Sequence, residues 1–321
     1  MWSSTSARNV GRGASNFQSD RGKQRNPNSE QKRVQKPPLT HFISIPIGHD
    51  SGLHRRWTQI SQALINASPA IPGIDRSVII KPEGLHVTLG IMNLRDDREN
   101  HRRGSGNTSS QLHSVQDALA LLKTLQAPIQ ELMKRDTNAN PVLYFPMDQL
   151  DIMRNGRNRN SEHGHVLWAG PNLNGELGKR LKRVCDLVHS TFKDAGYLQD
   201  DRPLKLHCTL INTIYRKFTP APTTSFSLEN TIIGKTPSDN SSRRRNHNQR
   251  ERIPFSFSSF LSSDAYRLMN APDGVTAPIN PDYGPFKIDL GTWLIDEIQI
   301  CRMGSQDAQG VYQKVGGISL L

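Results

Sequence analysis

The run Leu85-His86-Val87-Thr88-Leu89 returns 121 residues later (207 − 86 = 121) as Leu206-His207-Cys208-Thr209-Leu210. On a strand, residues two apart point to the same face. Each run therefore reads as a strand with His and Thr on one face and three apolar residues on the other. A chain carrying this pattern twice has to bury two apolar backs and present two imidazole–hydroxyl pairs. A lone His-x-Thr is an ordinary strand pattern, and its His an ordinary strand histidine. Two copies in matched apolar settings point to shared use.

The surrounding pattern fits a scaffold that brings the copies together. Thr40 to Ile47 reads as a strand, with Pro46 at its end. Leu53, Trp57, Ile60, Leu64 and Ile65 recur near helical spacing, and Ser51 is the expected N-cap. Ser77 to Lys81 is a short strand candidate, and Leu85 to Leu94 is the first motif strand. Gln111 to Arg135 carries a helical pattern that Pro128 should kink or split. Pro141 to Ile152 and His165 to Ala169 read as strands. Gly175 to Ala195 is an amphipathic helix, with Gly196 as its C′ residue. Leu204 to Ile214 is the second motif strand. Ser225 to Gly234, Trp293 to Cys301 and Val311 to Leu321 are further strand candidates, and Ile253 to Leu268 fits no single type. The order predicts a duplicated α+β arrangement.

Two histidines on equivalent strands can face each other across a cleft. With ordinary pKa values near 6.5, one can act as base and the other as acid at neutral pH. Breaking a phosphodiester needs both: a base to activate water or a neighbouring 2′-hydroxyl, and an acid to protonate the leaving oxygen. Thr88 and Thr209 can donate to the non-bridging oxygens, where transition-state charge lies. His86, Thr88, His207 and Thr209 are thus the expected catalytic residues. No acidic cluster stands ready to hold a metal, and neither a metal nor another cofactor is expected. His163 and His165 read as a polar edge, and His41, His49 and His54 as surface positions.

The formal net charge of +12 is uneven. Residues 1–38 carry eight Lys/Arg against Asp20 and Glu30, and residues 235–252 carry six against Asp239 and Glu251. The first has almost no large apolar residues, and the second and Arg95 to Ser110 have none, so they are expected to be a flexible basic tail and insertions. Such basicity suits weak, salt-sensitive attraction to nucleic acid, or nuclear import. An RNA-binding KH module is not expected in so short and polar a tail. The expected organisation is a tail at 1–38 and a folded domain at 39–321, with insertions at about 95–110 and 235–252. Three scattered cysteines form no CxxC pair, which fits a reducing compartment. No apolar run reaches the ~18 residues of a membrane span, and no membrane partner is expected.

The paired motifs resemble those of the two-histidine phosphoesterases. The stretches Thr-His-Phe-Ile-Ser-Ile-Pro-Ile (40–47), Lys-Pro-Glu-Gly-Leu-His-Val-Thr-Leu-Gly-Ile-Met (81–92) and Lys-Leu-His-Cys-Thr-Leu-Ile-Asn-Thr-Ile-Tyr-Arg-Lys (205–217) are similar to one branch, the nuclear-localisation-signal-like domain of A-kinase anchoring proteins. The late Ile-Asp-Glu-Ile-Gln-Ile-Cys-Arg-Met (295–303) fits it too. The resemblance implies an α+β fold of two pseudo-symmetric lobes, each a small antiparallel sheet with outer helices, around a central groove. It implies phosphodiesterase action on RNA ends or 2′,3′-cyclic nucleotide phosphates, with RNA or a nucleotide phosphate in the groove. The alternative it leaves open is a non-catalytic nucleotide- or RNA-binding subunit of a nuclear transcription-coactivator or repair complex. A nuclear location is expected, with a cytoplasmic one as the alternative.

Overall fold

The structure is a computed structural model. It describes residues 38–95, 113–135, 141–153, 162–198, 200, 202–217, 252–270 and 285–321. The expectations for the tail at 1–37, for 96–112, for a strand at 225–234 and for the insertion at 235–251 lie outside these residues.

In chain order the elements are β1 (His41–Pro46), α1 (Ser51–Ile65), β2 (His86–Met92), α2 (Val115–Thr124), α3 (Gln126–Arg135), β3 (Leu143–Pro146) and β4 (Gln149–Ile152). Then come β5 (His163–Gly164), β6 (Val166–Gly170), α4 (Glu176–Asp194), β7 (Cys208–Asn212), β8 (Phe255–Ser256), α5 (Phe257–Leu261) and α6 (Asp264–Arg267). The last are β9 (Phe286–Lys287), β10 (Thr292–Ile295), β11 (Glu297–Gln306) and β12 (Tyr312–Ser319). An eight-stranded sheet runs β12-β11-β1-β2-β7-β6-β4-β9, and every neighbouring pair in it is antiparallel. Two-stranded sheets β10–β3 and β5–β8 flank it.

The expected two lobes are the two four-stranded halves of this sheet. Each half contributes one strand–helix–strand unit, β1-α1-β2 or β6-α4-β7, whose second strand meets its counterpart at the centre. The helices follow their apolar spacing. Leu53, Trp57, Ile60 and Leu64 form the buried stripe of α1, and Leu181, Val184, Cys185, Val188 and Phe192 that of α4. Gly196 follows α4 with φ +80°, which favours glycine at C′.

Several sequence expectations are corrected. The N-cap of α1 is Asp50, not Ser51. Its carboxylate accepts from the Gly52 and Leu53 amides at 2.8 and 3.1 Å. The split expected near Pro128 does occur: the helical stretch breaks at Leu125, and Pro128 falls in the first turn of α3. A proline there has no N–H to offer the Thr124 carbonyl four residues back, so the first helix ends at that point. The strand expected over Pro141 to Ile152 is two strands in different sheets. At the break, the Met147 amide turns to Gly291 and the Asp148 amide to Gly170. Trp293 to Cys301 is likewise two strands, β10 and β11, and the chain changes sheet at Asp296. Ser77 to Lys81 makes only a bridge, Ile79 to Ile211. His41 is not at the surface but 1 % exposed on β1, with Nδ1 2.8 Å from the Thr40 hydroxyl. His49 and His54 are solvent-accessible and pair with Asp296 and Glu83, both at 3.1 Å.

Candidate active site

The two halves of the sheet meet through one ladder pair between β2 and β7, Val87 with Cys208. Carrying this antiparallel register one step each way sets His86 opposite Thr209 and Thr88 opposite His207. Directly opposed residues share a face, with Cβ atoms roughly 4.5–5.5 Å apart. The four side chains therefore form one quartet on one face. His86 opens β2 and His207 lies just ahead of β7, which is shorter than the strand expected over Leu204 to Ile214; each histidine stands two residues before its own threonine and opposite the other threonine across the seam. Leu85, Val87, Leu89, Leu206, Cys208 and Leu210 point the other way, each no more than 5 % exposed. The quartet residues are half-buried.

Both imidazoles are held by the same device. His86 Nδ1 lies 2.8 Å from the Gly84 carbonyl and His207 Nδ1 lies 2.7 Å from the Lys205 carbonyl, each two residues back. A carbonyl only accepts, so Nδ1–H donates in both cases. In the neutral ring this leaves Nε2 as the free acceptor. Burial lowers the pKa of His86 and outweighs the opposing effect of the Gly84 bond, and the charge of His207 lowers it further. Burial also lowers His207, with the Lys205 bond opposing it and the Lys205 charge adding to it. The two rings thus disfavour being protonated together. On the opposite face, burial pushes the Cys208 thiol up to about 12, which makes it core and not a nucleophile.

Residues outside the motifs complete the walls. Phe42 and Tyr312 stand 5.3 and 5.1 Å from the His86 ring, and the Tyr312 hydroxyl is 3.3 Å from that of Tyr215. Trp168 is paired with Thr209 in the β6–β7 ladder and meets His207 edge-on at 6.4 Å. Lys205 Nζ lies 3.8 Å over the Trp168 ring. Sequence reasoning missed all five. Lys205, two residues before His207, carried a positional signal. Phe42, Trp168, Tyr215 and Tyr312 reach the site only through strand pairing and tertiary packing.

Past the quartet the seam parts. Ile79 bridges Ile211 on one side and Met92 bridges Leu198 on the other. The Leu89 carbonyl, on the parted stretch of β2, accepts from His189 Nδ1 of α4 at 2.7 Å. A cavity of about 460 Å³ opens beside Thr88 and His207, and one of about 620 Å³ beside Gly84 and Tyr215. His163 and His165 line neither, and His165 Nδ1 is 2.8 Å from the Thr213 hydroxyl. Among the described residues no three His, Cys, Asp or Glu side chains cluster as a metal site would require.

The chain is similar to several known proteins. A mouse protein, activating signal cointegrator 1 complex subunit 1, is 22 % identical over 181 residues, which is 56 % of this chain and 44 % of that protein. The chain thus spans less than half the length of that relative. Among solved structures, Escherichia coli LigT complexed with 3′-AMP aligns with a TM-score of 0.36 at 12 % identity, covering 88 % of this chain and 99 % of LigT. The protein TT0787 of Thermus thermophilus aligns with a TM-score of 0.39 at 13 % identity, covering 88 % and 97 %. The family model for the AKAP7 2′5′ RNA ligase-like domain matches residues 39–238, more than half of the chain and both His-x-Thr strands. On that match, the chain belongs to the AKAP7 2′5′ RNA ligase-like domain family.

Proposed function

We propose that the protein is a phosphodiesterase acting without a metal on RNA ends or 2′,3′-cyclic nucleotide phosphates, with His86 and His207 as the acid/base pair. Membership in an RNA ligase-like family supports phosphodiester chemistry at this site. The observation that carries the reading is the matched pair of Nδ1–carbonyl bonds, which leaves each neutral imidazole with its Nε2 as the reactive nitrogen. For a cyclic phosphate, one neutral histidine takes a proton from water as its oxygen bonds to phosphorus. The P–O2′ or P–O3′ bond breaks, and the other histidine, protonated, gives its proton to the leaving oxygen. With an RNA 2′-hydroxyl in place of water, the same exchange forms the cyclic phosphate. Thr88 and Thr209 donate to the non-bridging oxygens as charge builds there. The phosphate's negative charge raises both histidines, which offsets the burial that keeps them neutral in the free protein.

Residues 39–321 are read as the domain that carries this activity, with 1–38 as a basic tail and further insertions at about 95–110 and 235–252. Nuclear location and a place in a multi-subunit complex are part of the same reading. They draw on the mouse relative, a complex subunit, and on the basic segments. Among the described residues, no helix is long and apolar enough to cross a membrane.

The test is turnover of 2′,3′-cyclic nucleotides and short RNAs with EDTA present. Activity is expected in the full chain and absent from His86→Ala/His207→Ala. Equal inertness of the two sinks the enzymatic reading, and loss of activity on chelation sinks the metal-free one.

A further inference from the structure

We propose that the basic cavity beside His86 is a second phosphate-binding site. It holds a non-scissile phosphate of a single-stranded oligonucleotide whose reacting phosphate lies at the quartet. This rests on the phosphodiesterase reading above.

The two cavities at the seam differ in chemistry. The smaller, next to Thr88 and His207, is walled largely by Leu89, Ile91, Leu198, Pro203 and Leu204; of its two cations, Arg202 is paired with Asp200 at 2.6 Å and Lys205 lies over the Trp168 ring, which leaves a lining suited to a nucleoside. The larger carries Arg76, Lys81 and Lys217 against one acid, Asp307. That carboxylate is committed to its own turn, where it accepts from the Gln309 and Val311 amides at 3.0 and 2.9 Å. Lys81 Nζ is steadied by donation to the Ala308 carbonyl at 2.7 Å. Arg76 and Lys217 are exposed.

The basic cavity is joined to the quartet through shared walls. Gly84 lines it, and its carbonyl clamps His86. Tyr215 lines it as well and meets Tyr312, which stands against the His86 ring. Tyr215 is 42 % exposed and offers a ring on which a base can stack. Gly84 and Thr88, which line the two cavities, are four residues apart, about 13 Å of extended chain. Each cavity has the volume of a nucleotide-sized pocket. A mononucleotide occupying the smaller one leaves the three cations unused, whereas a longer strand places its next phosphates among them.

The experiment compares a nucleoside 2′,3′-cyclic phosphate with a pentanucleotide ending in the same cyclic phosphate, using the full chain and Arg76→Ala/Lys217→Ala. The double variant is expected to lose about fivefold or more in kcat/KM on the pentanucleotide and to keep its rate on the mononucleotide. Its log–log salt slope for pentanucleotide binding should be shallower by about 0.7 for each phosphate that no longer meets a cation. A parallel fall on both substrates, or no change on either, overturns the proposal. If the wild type turns over neither substrate, the phosphodiesterase reading fails separately. Fluorescence anisotropy with a labelled pentanucleotide then decides the second site: fivefold weaker binding by the double variant supports it, and equal binding overturns it.

Discussion

The β1-α1-β2 and β6-α4-β7 units build matching halves of the candidate site by different local means. In both, a strand histidine gives its Nδ1 proton to the carbonyl two residues back. In the first unit that residue is Gly84, where a Cβ would stand 2.9 Å from the Gly310 carbonyl. In the second it is Lys205, whose side chain runs out over Trp168. His86 is set among Phe42 and Tyr312, and His207 beside Trp168 with a cation near it. What repeats is therefore the backbone clamp and the His–Thr face. The side chain at the clamping position serves its own half: absent where a loop closes over it, cationic where the groove is open.

If the halves are equal partners, removing either histidine should cost about 10²–10⁴ in kcat. His86→Ala/His207→Ala should be little worse than either single variant, because one proton carrier alone cannot complete the reaction. Thr88→Val and Thr209→Val should fall by similar factors, each up to about 10². Steady-state kinetics on a cyclic nucleotide checks all five proteins. A single-histidine variant with near wild-type kcat would break the symmetry outright.

The asymmetry at the clamp has its own test. Gly84→Ala drives a methyl into the Gly310 carbonyl and should destabilise by about 1–3 kcal/mol. Lys205→Ala, at an exposed position, should stay within about 0.5 kcal/mol of wild type. Urea denaturation measures both, and equal losses would mean that the two clamps are built alike.

The smallest effects concern pH. Both histidines are lowered from 6.5, so the kcat/KM optimum, which lies between the two macroscopic values, should fall below pH 6.5. Replacing Lys205 with Met removes one lowering influence on His207 and should move one limb of the profile to higher pH. The same shifts bear on stability. Lowered histidines bind fewer protons folded than unfolded, so their contribution is full above pH 6.5 and is lost as pH falls through the folded values. A pH profile unchanged by Lys205→Met would separate that cation from His207.

How far the sequence foretold this depends on the range of the interaction. Leu85 to Leu89 and Leu206 to Leu210 alternate as read, because a strand's period is local and the apolar side has only one place to go. The stripes of α1 and α4 were legible for the same reason. The sheet changes at Asp296 and between Pro146 and Gln149 were not, since an apolar run looks the same whichever partner strand it finds. Nor was the burial of His41, which depends on the strands beside it. Tyr312 comes to His86 from the end of the chain, and nothing near it marks it as part of a site.

The junction of β2 and β7 also sets when activity can arise during folding. Strands β1 and β2 close within one half, as do β6 and β7, but Val87 and Cys208 join across more than a hundred intervening residues. Closing a long loop carries an entropic cost that only contacts formed late can offset. Each strand–helix–strand unit can therefore gain its secondary structure while the quartet does not yet exist. Turnover then reports the pairing of β2 with β7, which neither unit can make alone.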